Sequence, residues 1–455
     1  MFQRRTFMAG LAAAAAGFAG RVSAQAPGVA DTVLRGPIGK ATADYLPAAS
    51  DRKSKTFSDL LREATRNRAP VFLPPGDYAI SNIELPDGVH ITGVAGKTRI
   101  LYAGDGYLFA ANEVQRVSFS NLVIDGGQRW LADYAPALIH ARAVSEVTFD
   151  NCEIRGSSKH ALQLERSGGH VRNCRIAGAA DAGIYAVEST GMAIADNTVE
   201  DCGNGGILVH RWTKGPDATM VAGNRVQRIG AKAGGTGENG NGINIFRADN
   251  VLITGNHVSD CAFSAIRSNA GSDVQILNNQ CLNSGETAIY SEFGFEGALV
   301  SGNLIDRAAN GISIVNFDNG GRLAVVTGNI VRNLSATGPY EQDGGFGYGI
   351  AAEADTVISN NVVENAPHWG ISLGWGPYLR NLVATGNMVR STPVGCAVSV
   401  AEGAGSALIA NNLFADVADG GVVGFRWLEK ASAELADGAG GFDNLTVNGN
   451  RVVKA

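Results

Sequence analysis

One short segment returns throughout this chain, and its return limits what the chain can fold into. "VLITGNHV" at 251–258 comes back as "MVAGNRV" (220–226), "ALVSGNLI" (298–305), "LAVVTGNIV" (323–331), "NLVATGNMV" (381–389) and "NLTVNGNRV" (444–452). Aligned on the last apolar residue, one Asn column runs through Asn197, Asn224, Asn256, Asn279, Asn303, Asn329, Asn361, Asn387, Asn412 and Asn450. Apolar residues recur five and often seven positions before that residue, which is strand alternation running into a Gly-Asn bend. So many copies in one register denote a stacked repeat.

A second element follows each copy, as "GIYAVE" (183–188), "GILVHR" (206–211), "GINIFR" (242–247) and "GISIVN" (311–316). Ile243, Ile266, Ile289 and Ile312 stand 23 residues apart. A coil of that length with two or three short strands predicts a parallel β-helix, whose equivalent residues stack roughly 4.8 Å apart. The Asn column then forms an internal ladder. A propeller needs a repeat of about 40–50 residues, and a Ca²⁺-binding nonapeptide helix needs serial GGxGxD, which is absent. The 60 glycines fit a fold with many tight turns. About a dozen coils are expected, in one domain.

The ends read differently. Arg4 and Arg5 precede a short Ala-rich run and "VSA" at 22–24, the pattern of a twin-arginine export signal over residues 1–24. An extended segment (25–55) follows. Export to the periplasm or beyond is expected, with no membrane span, because no apolar run nears the ~20 residues required. In "TFSDLLREATRNR" (56–68), Phe57, Leu60, Leu61 and Ala64 share a helical face, so a capping helix is expected over 56–66, ahead of a β-helix running to 455. Near the other end, "LEKASAELADGAGG" (428–441) lacks strand alternation. Its Lys430–Glu434 spacing suggests a short helix folding over the last coil.

"VFLPPGDY" (71–78), "LPDGVHITG" (85–93) and "FSNLVIDGG" (119–127), following that helix, resemble the start of pectate-lyase-like right-handed β-helix proteins. That superfamily includes polysaccharide lyases, hydrolases and uronate epimerases. The whole chain, signal plus Asn-rich repeats, is similar to twin-arginine-exported β-helix repeat proteins. The resemblance covers about residue 56 to the end, and implies an all-β, single-stranded right-handed parallel β-helix. It is specific for fold and not for reaction.

Net charge is −6, without a basic stripe, which argues against nucleic acid as partner. Six cysteines in so long a chain make no disulfide scaffold. Cys152 and Cys174 share a phase in adjacent coils; buried free thiols are expected, although the spacing also allows a disulfide. No Cys/His spacing or Asp cluster suggests a metal, and no cofactor is expected.

Alternation sends the residues one and three after each Ile outward. These columns read Tyr185/Val187, Leu208/His210, Asn244/Phe246, Arg267/Asn269, Tyr290/Glu292, Ser313/Val315 and Ala351/Glu353. Candidate catalytic residues are His210 as base, Arg267 beside a uronate, and Glu292. Candidate substrate-binding residues are Trp212, Asn244, Arg247 and Tyr290, since aromatic faces suit sugars and Arg suits carboxylates. Arg267 paired with Glu292 is the plainer alternative. Insertions at 210–220, 231–242, 316–323 and 335–349 interrupt the period and are placed to wall a groove. "NAPHWG" holds His368 and Trp369 where β-helix epimerases carry Asp-Pro-His, with Ala366 in place of the Asp. No Asp-Asp pair supplies the two carboxyls of an inverting hydrolase. The leading expectation is a monomer acting on polysaccharide or oligosaccharide, as a uronate lyase or other glycan-modifying enzyme. The alternative is a non-catalytic glycan-binding or envelope-structural solenoid, and the residues leave both open. An adhesin is disfavoured, since the chain is short and has no membrane-anchoring barrel.

Overall fold

The computed structural model of the chain describes residues 57–341 and 344–454. The expected export signal over 1–24, the segment 25–55 and Thr56 lie outside the described residues. The rest forms a right-handed parallel β-solenoid, opened by one helix, Phe57–Arg66. Phe57, Leu61 and Ala64 of that helix are buried, and the Phe57 ring packs 6.4 Å from Phe109. The helix thus covers apolar surface that the first turn would otherwise expose.

One sheet takes a strand from each turn, 15 in all, from Val71–Phe72 to Leu445–Asn448. Each pairs in parallel with its neighbour, so that Val221, Ile253, Ile276, Val300 and Val326 form one inward column. The "GIxhx" strands form another, Ile184–Ile207–Ile243–Ile266–Ile289–Ile312. The solenoid has more turns than the repeat alone reveals, because its first turns lack the Asn. There the ladder position is Leu122, then Cys152, then Cys174, whose carbonyls serve the next turn as the Asn carbonyls do later.

From Asn197 onward the ladder is complete. The Asn256 Nδ2 donates to Asn279 Oδ1 at 3.0 Å and to the Val221 carbonyl at 2.9 Å. Its own Oδ1 accepts from the backbone N–H and the Nδ2 of Asn224. Every polar atom of a side chain only 1 % exposed is therefore partnered. The residue before each Asn carries the left-handed geometry: φ is 64° at Gly255, 55° at Asn278 and 68° at Gly302. That position thus reads Gly, Asn or Asp. Each turn bends again at further left-handed residues, such as Asn283 and Phe293.

All six cysteines are buried free thiols. Cys152 and Cys174 stack as expected, the Cys152 N–H pointing at Cys174 Sγ at 3.4 Å. The C-terminal insertion is not a helix. Glu429–Glu434 is a strand, antiparallel to the C-terminal half of Leu413–Arg426, whose first residues pair in parallel with Arg451–Val453. The Glu434 carboxylate accepts from the N–H groups of Gly421 and Val422 at 2.6 and 2.9 Å, and Ser432 Oγ accepts from Gly424 N–H. These bonds satisfy an edge that no further turn covers, which explains why strand wins over helix there. No described helix is long and apolar enough to cross a membrane.

Candidate functional site

The outward columns stack in the expected register. Gln163, Tyr185, Leu208, Asn244, Arg267, Tyr290, Ser313, Ala351 and Ser372 occupy successive turns. Glu165, Val187, His210, Phe246, Asn269 and Glu292 run beside them.

Three candidates meet at one point. Arg267 is 8 % exposed, and its Nε and Nη2 grip the Glu292 carboxylate at 2.6 and 3.0 Å. Its Nη1 reaches Glu286 Oε2 at 2.9 Å, and its Cζ lies 4.8 Å from the Tyr290 ring centroid. Glu286 also accepts from Tyr340 Oη at 2.5 Å and Ser264 Oγ at 3.3 Å. Burial alone would lower the Arg267 pKa, but Glu292 and Glu286 outweigh it and hold the guanidinium above its ordinary value. Burial pushes the Glu286 carboxyl up, with Arg267 and Tyr340 pulling the other way. It also keeps the Tyr290 phenol protonated, far above the usual range. Gly237 sits over this cluster with φ +130°, and a Cβ there would fall 1.9 Å from Arg267 Nη1. The insertion at 231–242 can close on Arg267 only with glycine at that position.

The other candidates lie on earlier turns. The His210 ring packs edge-on between Tyr185 (5.3 Å) and Phe246 (5.6 Å), and its buried Nε2 has no partner. Burial pushes its pKa down to about 3, so it is neutral and a weak base at pH 7. Trp212 is 45 % exposed, with the Arg166 guanidinium 4.9 Å above its ring. Arg247 donates to the Trp212 carbonyl at 2.7 Å and lies over Phe246. Asn244 is buried, with its Oδ1 unpartnered. Lys214, from the insertion at 210–220, spans these turns and donates to the Gly294 carbonyl at 2.6 Å. Glu165 lies farther off, accepting from Arg142 Nε at 3.3 Å and facing His140 Nε2 at 3.5 Å.

An open groove of about 210 Å³ begins at Tyr290 and runs toward the C-terminal turns. Its floor is Ser313, Ala351 and Ser372; Tyr348 and Trp375 are in its walls, with Asn316 and Glu353. The two later insertions supply Asn316 and Tyr348, and Glu353 Oε2 accepts from the Phe317 N–H at 2.7 Å. His368 packs against Tyr348 (5.0 Å) and Trp369 (4.6 Å), its Nε2 buried without a partner and its pKa lowered by burial. Among the described residues no group of His, Cys, Asp and Glu is arranged to hold a metal ion.

A sequence profile described as "Right handed beta helix region" matches residues 87–236 and 234–331. The chain belongs to the right-handed β-helix family. No curated protein matches it by sequence. Among solved structures, this β-helix is similar to the A-module of a mannuronan C-5 epimerase from Azotobacter vinelandii, with 16 % identity, 87 % of this chain and 94 % of that one covered, and a TM-score of 0.45. It is also similar to the catalytic unit of an α-1,3-glucanase from Streptomyces thermodiastaticus, with 17 % identity and a TM-score of 0.42 over 87 % of this chain, spanning 65 % of that chain. A surface adhesin of Streptococcus pneumoniae matches with 14 % identity and a TM-score of 0.39, over 81 % of this chain and 89 % of that one.

In this β-helix, column reasoning from the sequence found Tyr290, Ser313, Ala351 and Glu353 but missed Glu286, Tyr340, Tyr348 and Trp375. Glu286 begins the turn into the "AIYSEF" strand, and Tyr340 lies in an insertion without alternation. Trp375 ends "GISLGW", and extending the outward count past the strand would have pointed to it.

Proposed function

We propose that this chain is an exported protein that acts on polysaccharide, holding a glycan strand in the groove over Ser313, Ala351 and Ser372. The groove's composition carries the reading. Aromatic rings of Tyr290, Tyr348 and Trp375 stand around a floor of small side chains, with Ser313, Ser372, Asn310, Asn316 and Glu353 as polar groups between them. Concave sites that join apolar faces to placed polar groups are what small ligands occupy, and amphipathic rings suit sugar faces. Tyr290 to Ser372 spans four turns, roughly 14 Å at the usual strand spacing, which suits a short run of sugar rings. Export rests on the signal pattern of residues 1–24.

In the enzymatic form of this reading, acid–base chemistry falls to Glu353 and the protonated Tyr290 phenol. A uronate lyase centred on Arg267 requires that guanidinium to leave Glu286 and Glu292. The ion cluster supports a second, non-catalytic form, since Arg267 and its two partners spend their charge on one another. The test is retention on a panel of insoluble polysaccharides, with reducing ends and unsaturated products assayed in parallel. Retention that Trp375→Ala weakens about tenfold supports the groove. Retention unchanged in that variant removes it. Products that disappear in Glu353→Gln select the enzymatic form.

A further inference from the structure

Resting on the groove just proposed, we infer that its ligand is an uncharged glycan and that it rejects polyuronates. What decides this is which polar groups in and beside the groove are already engaged. The charged groups are: Arg267, beneath the Tyr290 end, bonds both Glu292 and Glu286. Glu353 accepts the Phe317 N–H. The nearby Arg380 is held by Asp355, its guanidinium over the Phe317 ring at 4.5 Å.

The uncharged groups are not. Among the described residues, Ser313 Oγ, Ser372 Oγ, Tyr290 Oη and Asn316 Nδ2 line the groove and make no protein hydrogen bond. Asn310 and Tyr348 differ: Asn310 Oδ1 accepts from the Gly347 and Tyr348 N–H groups and its Nδ2 donates to Thr287, while Tyr348 Oη donates to the Gly344 carbonyl at 2.6 Å. Hydroxyls and an amide with unused capacity match the hydroxyls of a neutral sugar. Among the described residues lining the groove, a uronate carboxylate would find no cation. It would sit beside Glu353 and near a cluster of one Arg and two Glu, whose formal charge is negative. Like-charge proximity without a compensating partner is how a site excludes a ligand.

The experiment is calorimetric titration of the full chain with two sets of probes at low and high salt. One set is neutral oligosaccharides of glucose and of mannose; the other is oligogalacturonate and oligomannuronate. Ser372→Tyr, which fills the groove floor, and Glu353→Gln are titrated alongside, each first checked for a wild-type melting curve. The expected result is binding of a neutral oligosaccharide that salt changes less than twofold and Ser372→Tyr reduces at least tenfold. Oligouronates show at least tenfold weaker binding, which Glu353→Gln improves severalfold. Oligouronate binding that is tighter than neutral binding and lost in Ser372→Tyr overturns this inference and leaves the groove reading standing. Absence of binding by either set, or binding indifferent to Ser372→Tyr, overturns both. Should Ser372→Tyr fail to fold, Ser313→Tyr makes the same test one turn closer to Tyr290.

Discussion

Asn256 and Asn279 sit one turn apart and share a hydrogen bond of 3.0 Å between side-chain amides, repeated from Asn197 to Asn450. Each amide links three turns, so removing one leaves donors and acceptors on both sides unsatisfied. Asn256→Leu is expected to destabilise the fold by ~1–3 kcal/mol. Asn450→Leu, at the end of the ladder and partly exposed, should cost less. Denaturant midpoints of the two variants check the order.

The buried ion cluster makes a sharper prediction. Arg267→Leu leaves Glu286 and Glu292 buried without their cation, which should cost ~3–5 kcal/mol. The triple variant Arg267→Leu, Glu286→Gln, Glu292→Gln should recover most of that loss. Gly237→Ala should act in the same direction as Arg267→Leu, because its Cβ would occupy the guanidinium's place. Chemical denaturation of all three variants distinguishes a coupled cluster from independent contacts.

Much of this arrangement was legible in the sequence, for a physical reason. In a solenoid, equivalent residues of successive turns are neighbours, so a column of letters is also a column in space. That is how the Asn ladder, the stacked cysteines and the Arg267–Tyr290–Glu292 neighbourhood came out of the text. What did not come out depends on contacts outside the repeat. Tyr340 reaches Glu286 across 54 positions from an insertion that has no period. His210 looks like a surface base in its column, yet Tyr185 and Phe246 on adjacent turns bury its ring. Segment 428–435 has helical spacing, but the C-terminal half of Leu413–Arg426, beyond the residues that pair with Arg451–Val453, offers it hydrogen bonds that an isolated helix does not.

His210 predicts a pH dependence. Its pKa falls from an ordinary 6.5 to about 3 on folding, because burial disfavours the charged ring. Between those values the unfolded chain binds a proton that the folded chain does not, so stability is complete above pH 6.5 and declines as pH falls toward 3. At pH 5 the loss amounts to at most roughly 2 kcal/mol. His210→Phe, which keeps a ring between Tyr185 and Phe246, should melt with a shallower dependence between pH 7 and 5. Parallel slopes for the two proteins would remove His210 from the account.

The C-terminal strand gives a prediction about association. Replacing 429–440 with a short Gly-Ser linker uncovers the edge of Leu413–Arg426 and removes the Glu434 bonds to Gly421 and Val422. Open edges template pairing with another chain. Light scattering should then show self-association increasing with concentration. A variant that remains monomeric with an unchanged melting temperature contradicts the edge-covering role.

The central claim is that the groove between Tyr290 and Trp375 holds a glycan. The most direct measurement is a crystal structure of the chain soaked with a neutral oligosaccharide. The account predicts sugar rings over Ser313, Ala351 and Ser372, with one ring against Trp375 and hydroxyls bonded to Tyr290 and Asn316. Sugar bound on another face, for instance beside the exposed Trp130 and Tyr134, with only solvent in the groove, would contradict it.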